Sequence, residues 1–152
     1  MDQSTLGTPT LVVVTGRPGS GKTTLAQLLA RAIRCPLVSR DDIKEGLVHT
    51  LCKHNTSEMD ANGHVYEVYF ETLDHYLRHH ISLVTEAAFQ HKVWQPQLIE
   101  LQEIAQVKLI CCDIDAALAA RRYIERGVND PHRARFHEDL TEQLNADLSK
   151  TL

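Results

Sequence analysis

Thr10 to Thr15 reads Thr-Leu-Val-Val-Val-Thr, β-branched and almost continuously apolar, the pattern of a strand buried on both faces. Gly16 to Gly21 follows as a glycine and proline loop. Lys22 to Arg34 then carries apolar residues at 25, 28, 29, 32 and 33, which is helical spacing. Pro36 is expected to end that helix, and Leu37-Val38-Ser39 to form a short second strand. Asp41 to Lys53 reads as a second helix, with Asp41 or Asp42 available as its cap. The polar stretch His54 to Gly63 predicts a loop and is the best candidate for a mobile segment. Val65 to His80 returns to helical spacing through Val65, Val68, Tyr69, Leu73, Tyr76 and Leu77. Ile81 to Thr85 predicts a third strand, Pro96 to Ala105 a helix and Val107 to Cys112 a fourth strand. Ala116 to Arg126 and His132 to Leu148 predict the last helices, separated by a break over Gly127 to Pro131.

Strand alternates with helix four times, which predicts a parallel sheet sandwiched by helices with right-handed crossovers. There is no repeat, no low-complexity tract and no linker, so residues 1–152 read as one domain, large enough to bury a core without disulfides or metals. No run approaches the roughly 18 apolar residues of a membrane span. Met1 to Pro9 is polar, and the first apolar run flows into the glycine loop, so that run is not expected to be a signal peptide. The four cysteines, Cys35, Cys52, Cys111 and Cys112, contain no C-x-x-C and read as reduced core residues of a cytoplasmic protein. His75 and His79 share a helix face without the acidic residue of an H-E-x-x-H site, so that face reads as ordinary polar surface.

Charge sharpens the picture. The chain carries 16 Lys and Arg against 20 Asp and Glu, a formal net charge of −4, whereas a generic nucleic-acid binder is usually basic. Arg121 to Arg135 holds five arginines against Glu125 and Asp130, a local +3 on a body of −7. Such asymmetry points to a local task for those arginines.

The strongest chemical signal is Gly16-Arg17-Pro18-Gly19-Ser20-Gly21-Lys22-Thr23, which fits G-x-x-x-x-G-K-[ST] at every fixed position. The glycines let backbone N–H groups turn inward around a phosphate chain. The helix starting near Lys22 points its positive end at the same anion. The Lys22 ammonium reaches the terminal phosphates, and the Thr23 hydroxyl binds Mg²⁺. The buried strand before the motif and the amphipathic helix after it make nucleoside triphosphate binding the firmest expectation.

No N-K-x-D guanine-reading motif is present, and no strand ends in the Asp-Glu of an ATPase motor. A phosphotransferase instead needs a carboxylate to orient an acceptor hydroxyl and cations to neutralise the transferred group. Arg40-Asp41-Asp42 ends the second strand, on the sheet edge where such groups collect. The residues alone leave Asp41 open between a catalytic base and a helix cap.

Gly16 to Thr24, followed by Ser39-Arg40-Asp41-Asp42-Ile43-Lys44, resembles the P-loop kinases of the polynucleotide 5′-hydroxyl kinase, zeta toxin and chloramphenicol phosphotransferase group, often called AAA domain ATPases. The resemblance covers most of the chain and is most specific in the first 45 residues. It implies an α/β three-layer fold of the small-kinase type, a parallel sheet of order 2-3-1-4, and use of ATP and Mg²⁺. It also implies that Asp41 is the general base and that the loop residues through Thr24 bind nucleotide. A lid arginine is implied in Arg122-Tyr123-Ile124-Glu125-Arg126-Gly127, with Arg126 the better match and Arg122 the second. Arg40, Lys44 and Glu86 fall at acceptor-side positions, Glu86 where the family carries a strand-three carboxylate beside Mg²⁺ or the acceptor. The polynucleotide kinase has an arginine where this chain has Lys44, which keeps the charge but loses bidentate geometry. A small-molecule or nucleoside-like hydroxyl is therefore expected as acceptor, ahead of a nucleic-acid end or a regulatory ATPase lacking an acceptor. Many of these kinases add a fifth strand after the lid, and no apolar run for one follows here. Asp113 is expected to cap the lid helix.

Overall fold

The structure is a computed structural model and describes residues 6–51, 58–88 and 91–129, the side chains of residues 51, 58–60 and 91 excepted. The elements are β1 (Thr10–Gly16), α1 (Lys22–Ile33), β2 (Leu37–Ser39), α2 (Arg40–Leu51), α3 (Glu58–Arg78), β3 (Leu83–Ala87), α4 (His91–Gln102), β4 (Gln106–Cys112) and α5 (Ala116–Asn129). The four described strands form one parallel sheet in the order β2-β3-β1-β4, as the resemblance implied.

Alternation along the strands sorts the core into two layers. Leu11, Val13, Val38, Leu83 and Ala87 face α3 and α4, where Tyr69, Phe70, Leu73, Leu77, Trp94 and Leu101 complete the larger cluster and Ile43 of α2 packs against it. Val14 and Val84 face α1 through Ala26 and Ala30. The larger layer is knit by aromatic edges: Trp94 lies 5.3 Å from Tyr69 and 5.0 Å from Phe70 between ring centroids, and Tyr66 lies 4.9 Å from Phe70. Such pairs contribute about 0.5–1.5 kcal/mol each beyond their buried area.

Several element limits differ from those read in the sequence. α1 stops at Arg34, which adopts a left-handed conformation while Cys35 N–H donates to the Ala30 carbonyl, so the stop precedes Pro36. α2 takes in Arg40, which was read as the end of the strand. Residues 58–63 of the expected loop are the first turns of α3, because the packed face from Val65 onward outweighs the helix cost of Gly63. The rest of that loop, 54–57, lies outside the described residues, as does the helix expected over 132–148. β3 is shifted two residues later than expected, so it includes Glu86. α4 begins at His91 and contains Pro96, with the buried Trp94 anchoring the turn before the proline. α5 runs through Gly127 to Asn129, so the expected break does not fall at Gly127. β4 pairs on one side only among the described strands, and its Leu109 and Cys111 are exposed. The described cysteines are free, as expected, but Cys111 is not a core residue, and Cys35 and Cys112 are half-buried at the margin of the smaller cluster. Likewise Leu25 and Leu28 of the α1 apolar stripe are exposed, and the helix is buried along Lys22, Ala26 and Ala30 instead.

Tyr69 is fully buried, and its hydroxyl lies 2.6 Å from Thr85 Oγ1, which itself donates to the Val38 carbonyl at 2.7 Å. α3 is thereby pinned to β3 and β2 one residue short of Glu86 and Ser39. Burial pushes the Tyr69 phenol well above its usual value, opposed by the Thr85 hydrogen bond; the nearby Glu86 raises it further, Arg40 lowers it and Asp41 raises it. The fold therefore favours the neutral phenol. That stabilisation is fully present below the ordinary tyrosine pKa near 10 and is lost as pH rises through the raised value. Tyr69→Phe is expected to cost about 0.5–1.5 kcal/mol at neutral pH. Urea denaturation of both proteins at rising pH should show the wild type losing its advantage above about pH 10. A constant difference up to pH 12 or so would contradict this.

Candidate active site

The sheet register builds the site. Ser39 of β2 pairs with Glu86 of β3, and Val14 of β1 pairs with Glu86 from the other side, so the carboxyl ends of the three strands, at Ser39, Ala87 and Gly16, lie close together. The chain leaves β1 at Gly16 into the loop that ends at α1. Gly21 stands at the α1 N-cap with φ 88° and makes no side-chain cap, so no side chain occupies the first amide groups of the helix. Ser20 N–H closes a turn on the Arg17 carbonyl at 3.0 Å, and the buried Ser20 Oγ has no partner among the described residues. Free donors at a helix start make an anion site.

Lys22 is 8% exposed and Thr23 is half-buried, while Thr24 and Arg17 are exposed and Pro18 half-buried. Thr23 Oγ1 donates to Glu86 Oε1 at 3.1 Å, and Ser39 Oγ donates to the same oxygen at 3.0 Å. Glu86 is 2% exposed, and its Oε2 has no hydrogen-bond partner among the described residues. The family motif had left Glu86 between the metal side and the acceptor side. It contacts both Thr23, the expected metal ligand, and Ser39, which precedes α2.

α2 starts on the opposite side of Glu86. Its cap is Ser39, whose Oγ accepts the Asp42 N–H at 3.4 Å. Asp41 is therefore a half-buried first-turn residue and not the N-cap. Arg40 and Lys44 are half-buried, four residues apart on this helix, and Arg40 Nε is buried without a partner among the described residues. The charges of Glu86, Arg40 and Asp41 are all near enough to act on the Tyr69 phenol.

α5 closes over the phosphate loop. Asp115 caps it, its Oδ1 accepting the N–H groups of Ala117 and Leu118 at 3.0 and 3.1 Å, so the expected cap Asp113 is displaced by two residues. Ala119 of α5 is buried against Gly19, where φ is +81° and an added Cβ would run into the Ala119 carbonyl oxygen. Arg126 lies seven residues from Ala119, about 20° away around the helix and about 10 Å along it; Arg122 is about 60° away and Arg121 about 160°. Arg126 and Arg122 are exposed, and Arg121 pairs with Glu125 at 3.4 Å on the surface. Arg133 and Arg135 of the arginine-rich stretch 121–135 lie outside the described residues.

Sequence reasoning missed Ser39, Tyr69 and Cys112. Ser39-Arg40-Asp41-Asp42 has the S-x-x-[DE] form of a capping box, a signal that names Ser39 as the cap. Tyr69 was read only as an apolar helix position. Cys112 sits beside the loop, with its carbonyl 2.6 Å from where a Gly16 Cβ would be. Burial and the adjacent Cys111 raise its thiol pKa, and Lys22 opposes that.

The close fit at Gly19 is testable. Gly19→Ala combines a left-handed φ with a backbone collision, and strain of this kind costs about 1–3 kcal/mol. The variant is expected to melt several degrees lower and to show raised amide exchange in residues 116–120, read by mass spectrometry. Wild-type melting and exchange would mean that α5 does not rest on the loop.

The family model described as AAA domain matches residues 11–151. No curated protein gives a significant match. Among solved structures, a provisionally designated kinase from Chloroflexus aurantiacus J-10-fl is 29% identical, with a TM-score of 0.71 over 80% of this chain and 69% of that one. A chain of the Pnkp1/Rnl/Hen1 RNA repair complex is 18% identical with a TM-score of 0.69; the match covers 98% of this chain but only 48% of that one. A sugar kinase from Janibacter sp. HTCC2649 is 19% identical with a TM-score of 0.54, over 76% of this chain and 66% of that one. With the phosphate loop, the 2-3-1-4 sheet and the family match in agreement, the chain belongs to the AAA domain family and has the fold of the small P-loop kinases.

Proposed function

We propose that the protein is a phosphotransferase that moves the γ-phosphoryl group of ATP to the hydroxyl of a small molecule. The observation that carries this reading is the assignment of the α2 cap to Ser39. It leaves the Asp41 carboxylate without a capping task, in the first turn of a helix that starts beside Glu86. The Chloroflexus kinase and the sugar kinase are in keeping with a kinase reaction on a small acceptor. The RNA repair neighbour favours a second reading, a 5′-hydroxyl kinase of nucleic-acid ends. Lys44 in place of an arginine and the net charge of −4 count against it.

Each residue has a physical task in this reading. The amides of the 16–21 loop and of the α1 N-terminus bind the triphosphate, and Lys22 neutralises the end to be transferred. Arg17, Pro18 and Thr24 line the same loop. Thr23 and Glu86 fit a divalent cation: a threonine hydroxyl and a buried carboxylate whose Oε2 is unpartnered are hard oxygen ligands of the type Mg²⁺ takes. When bound, the cation supplies charge neutralisation on the phosphates. Asp41 accepts the proton of the acceptor hydroxyl, and Arg40 and Lys44 hold the acceptor. Arg126, with Arg122 beside it, offsets charge that develops on the transferred group, for which a helix resting on the phosphate loop is a suitable mount.

ADP release across sugars, nucleosides, antibiotics and 5′-hydroxyl oligonucleotides tests the reading. A small hydroxyl compound is expected to accelerate it, and activity confined to oligonucleotides would select the second reading. With the acceptor found, Asp41→Asn is expected to lower kcat by 10²-fold or more with ATP affinity and melting temperature kept. Asp42→Asn should be mild. The reverse order would move the base by one residue. Arg126→Ala should lower kcat by roughly 10³-fold with little change in ATP affinity. A loss under about tenfold would reduce Arg126 to a surface charge and pass the role to Arg122.

A further inference from the structure

Ser39 makes two hydrogen bonds that join parts of the site otherwise unconnected. Its single hydroxyl proton goes to Glu86 Oε1 at 3.0 Å, and its oxygen accepts the Asp42 N–H at 3.4 Å. Glu86 Oε1 also accepts from Thr23 at 3.1 Å. One carboxylate oxygen is thus saturated by two hydroxyls, while the other, equally buried, has no partner among the described residues. A run of contacts leads from the start of α1 through the end of β3 and the end of β2 to the start of α2. Ser39 is itself 6% exposed, so water cannot easily replace it.

A glutamate has three side-chain torsions and needs more than one contact to hold its carboxylate plane. Thr23 alone would leave Glu86 free to rotate about that contact. The second donor, on a neighbouring strand paired in register, removes this freedom. Below it, the Tyr69–Thr85–Val38 bonds fix the same two strands one residue earlier. The backbone under Ser39 is therefore held as firmly as the side chain above it.

We infer that Ser39 is a positioning residue: its hydroxyl locks Glu86 so that Oε2 faces the cation and nucleotide, and it ties the helix bearing Asp41 to that same carboxylate. This rests on the proposed nucleotide site. It assigns to Ser39 a task beyond capping, and the two can be separated. Glycine is nearly as good a cap as serine whereas alanine is poor, yet neither has a hydroxyl for Glu86.

The test uses calorimetry of ATP binding to the full chain, with and without Mg²⁺. In Ser39→Ala and Ser39→Gly alike, the gain in affinity that Mg²⁺ confers is expected to shrink by about tenfold, the size of one hydrogen bond to a charged group. Affinity without Mg²⁺ should be unchanged. Ser39→Thr keeps the hydroxyl and should retain the gain. In a Glu86→Gln background, Ser39→Ala should add no further loss. A full gain in Ser39→Gly with a loss confined to Ser39→Ala would assign the effect to the cap and overturn the inference. Additive losses in the double variant would also overturn it. A wild type with no Mg²⁺-dependent ATP binding would sink the proposed function instead. A denaturation cycle over Ser39→Ala, Glu86→Gln and the double variant would still decide the coupling: non-additive stabilities support it, and additive ones end it.

Discussion

Keeping a carboxylate buried is the constraint on which this molecule turns. Glu86 is 2% exposed near the carboxyl end of an interior strand of the parallel sheet. A buried acidic group without hydrogen bonds is costly by several kcal/mol or more. Glu86 Oε1 is satisfied by Thr23 and Ser39, and both donors reach it because β2 pairs Ser39 with Glu86 and α1, which follows β1, packs on the same face. A shift of one residue in either register would turn Glu86 or Ser39 to the other face of the sheet. The carboxylate and the strand register thus hold each other in place, and Oε2 is left as the polar atom that a ligand can satisfy.

The two faces of the sheet contribute differently. The face toward α3 and α4 is thick and aromatic, and it supplies most of the buried apolar volume. It also carries the Tyr69 hydroxyl into the sheet, so that the stable half of the molecule reaches the functional edge. The face toward α1 is thin, built on Ala26 and Ala30. Small side chains let α1 approach the strands closely, and this closeness allows Thr23, in its first turn, to touch a residue on β3. The same device recurs at the loop, where Ala119 of α5 lies on Gly19. Close approach of backbones, and not bulk, sets the shape of the phosphate side.

α5 has a light attachment by comparison. Ala119 is its buried residue, its cap is an exposed aspartate pair of bonds, and Ile124 and Val128 face outward. An element with few buried apolar contacts opens at low cost. An arginine-bearing helix with that kind of attachment is consistent with the proposed task of Arg126, a group that would approach and leave the nucleotide.

Local chemistry made much of this legible from the residues. The run Thr10 to Thr15, the Gly16 to Thr23 loop and the amphipathic spacing after it depend on neighbours a few positions apart, and such patterns survive without tertiary context. The alternation of strands and helices predicted a parallel sheet; its order and the expected roles of Glu86 and Arg126 came from likeness to kinases, which also tipped Asp41, open on the residues alone between base and cap, toward the base. Tertiary structure decided what depends on partners distant in the chain. Glu86 meets Thr23 and Ser39 across 63 and 47 residues, and no local pattern encodes which oxygen is filled and which is left. Packing carried α3 through Gly63 and α4 through Pro96, because tertiary burial outweighs a breaker's local cost of about 1–3 kcal/mol. The exposure of Cys111 and Leu109 was hidden for the converse reason: an apolar strand reads the same whether or not its outer face is covered. Ser39 does end a strand, as read from the sequence, but its side chain went unread, since a hydroxyl's two bonds are assigned only when the elements that carry its partners have folded together.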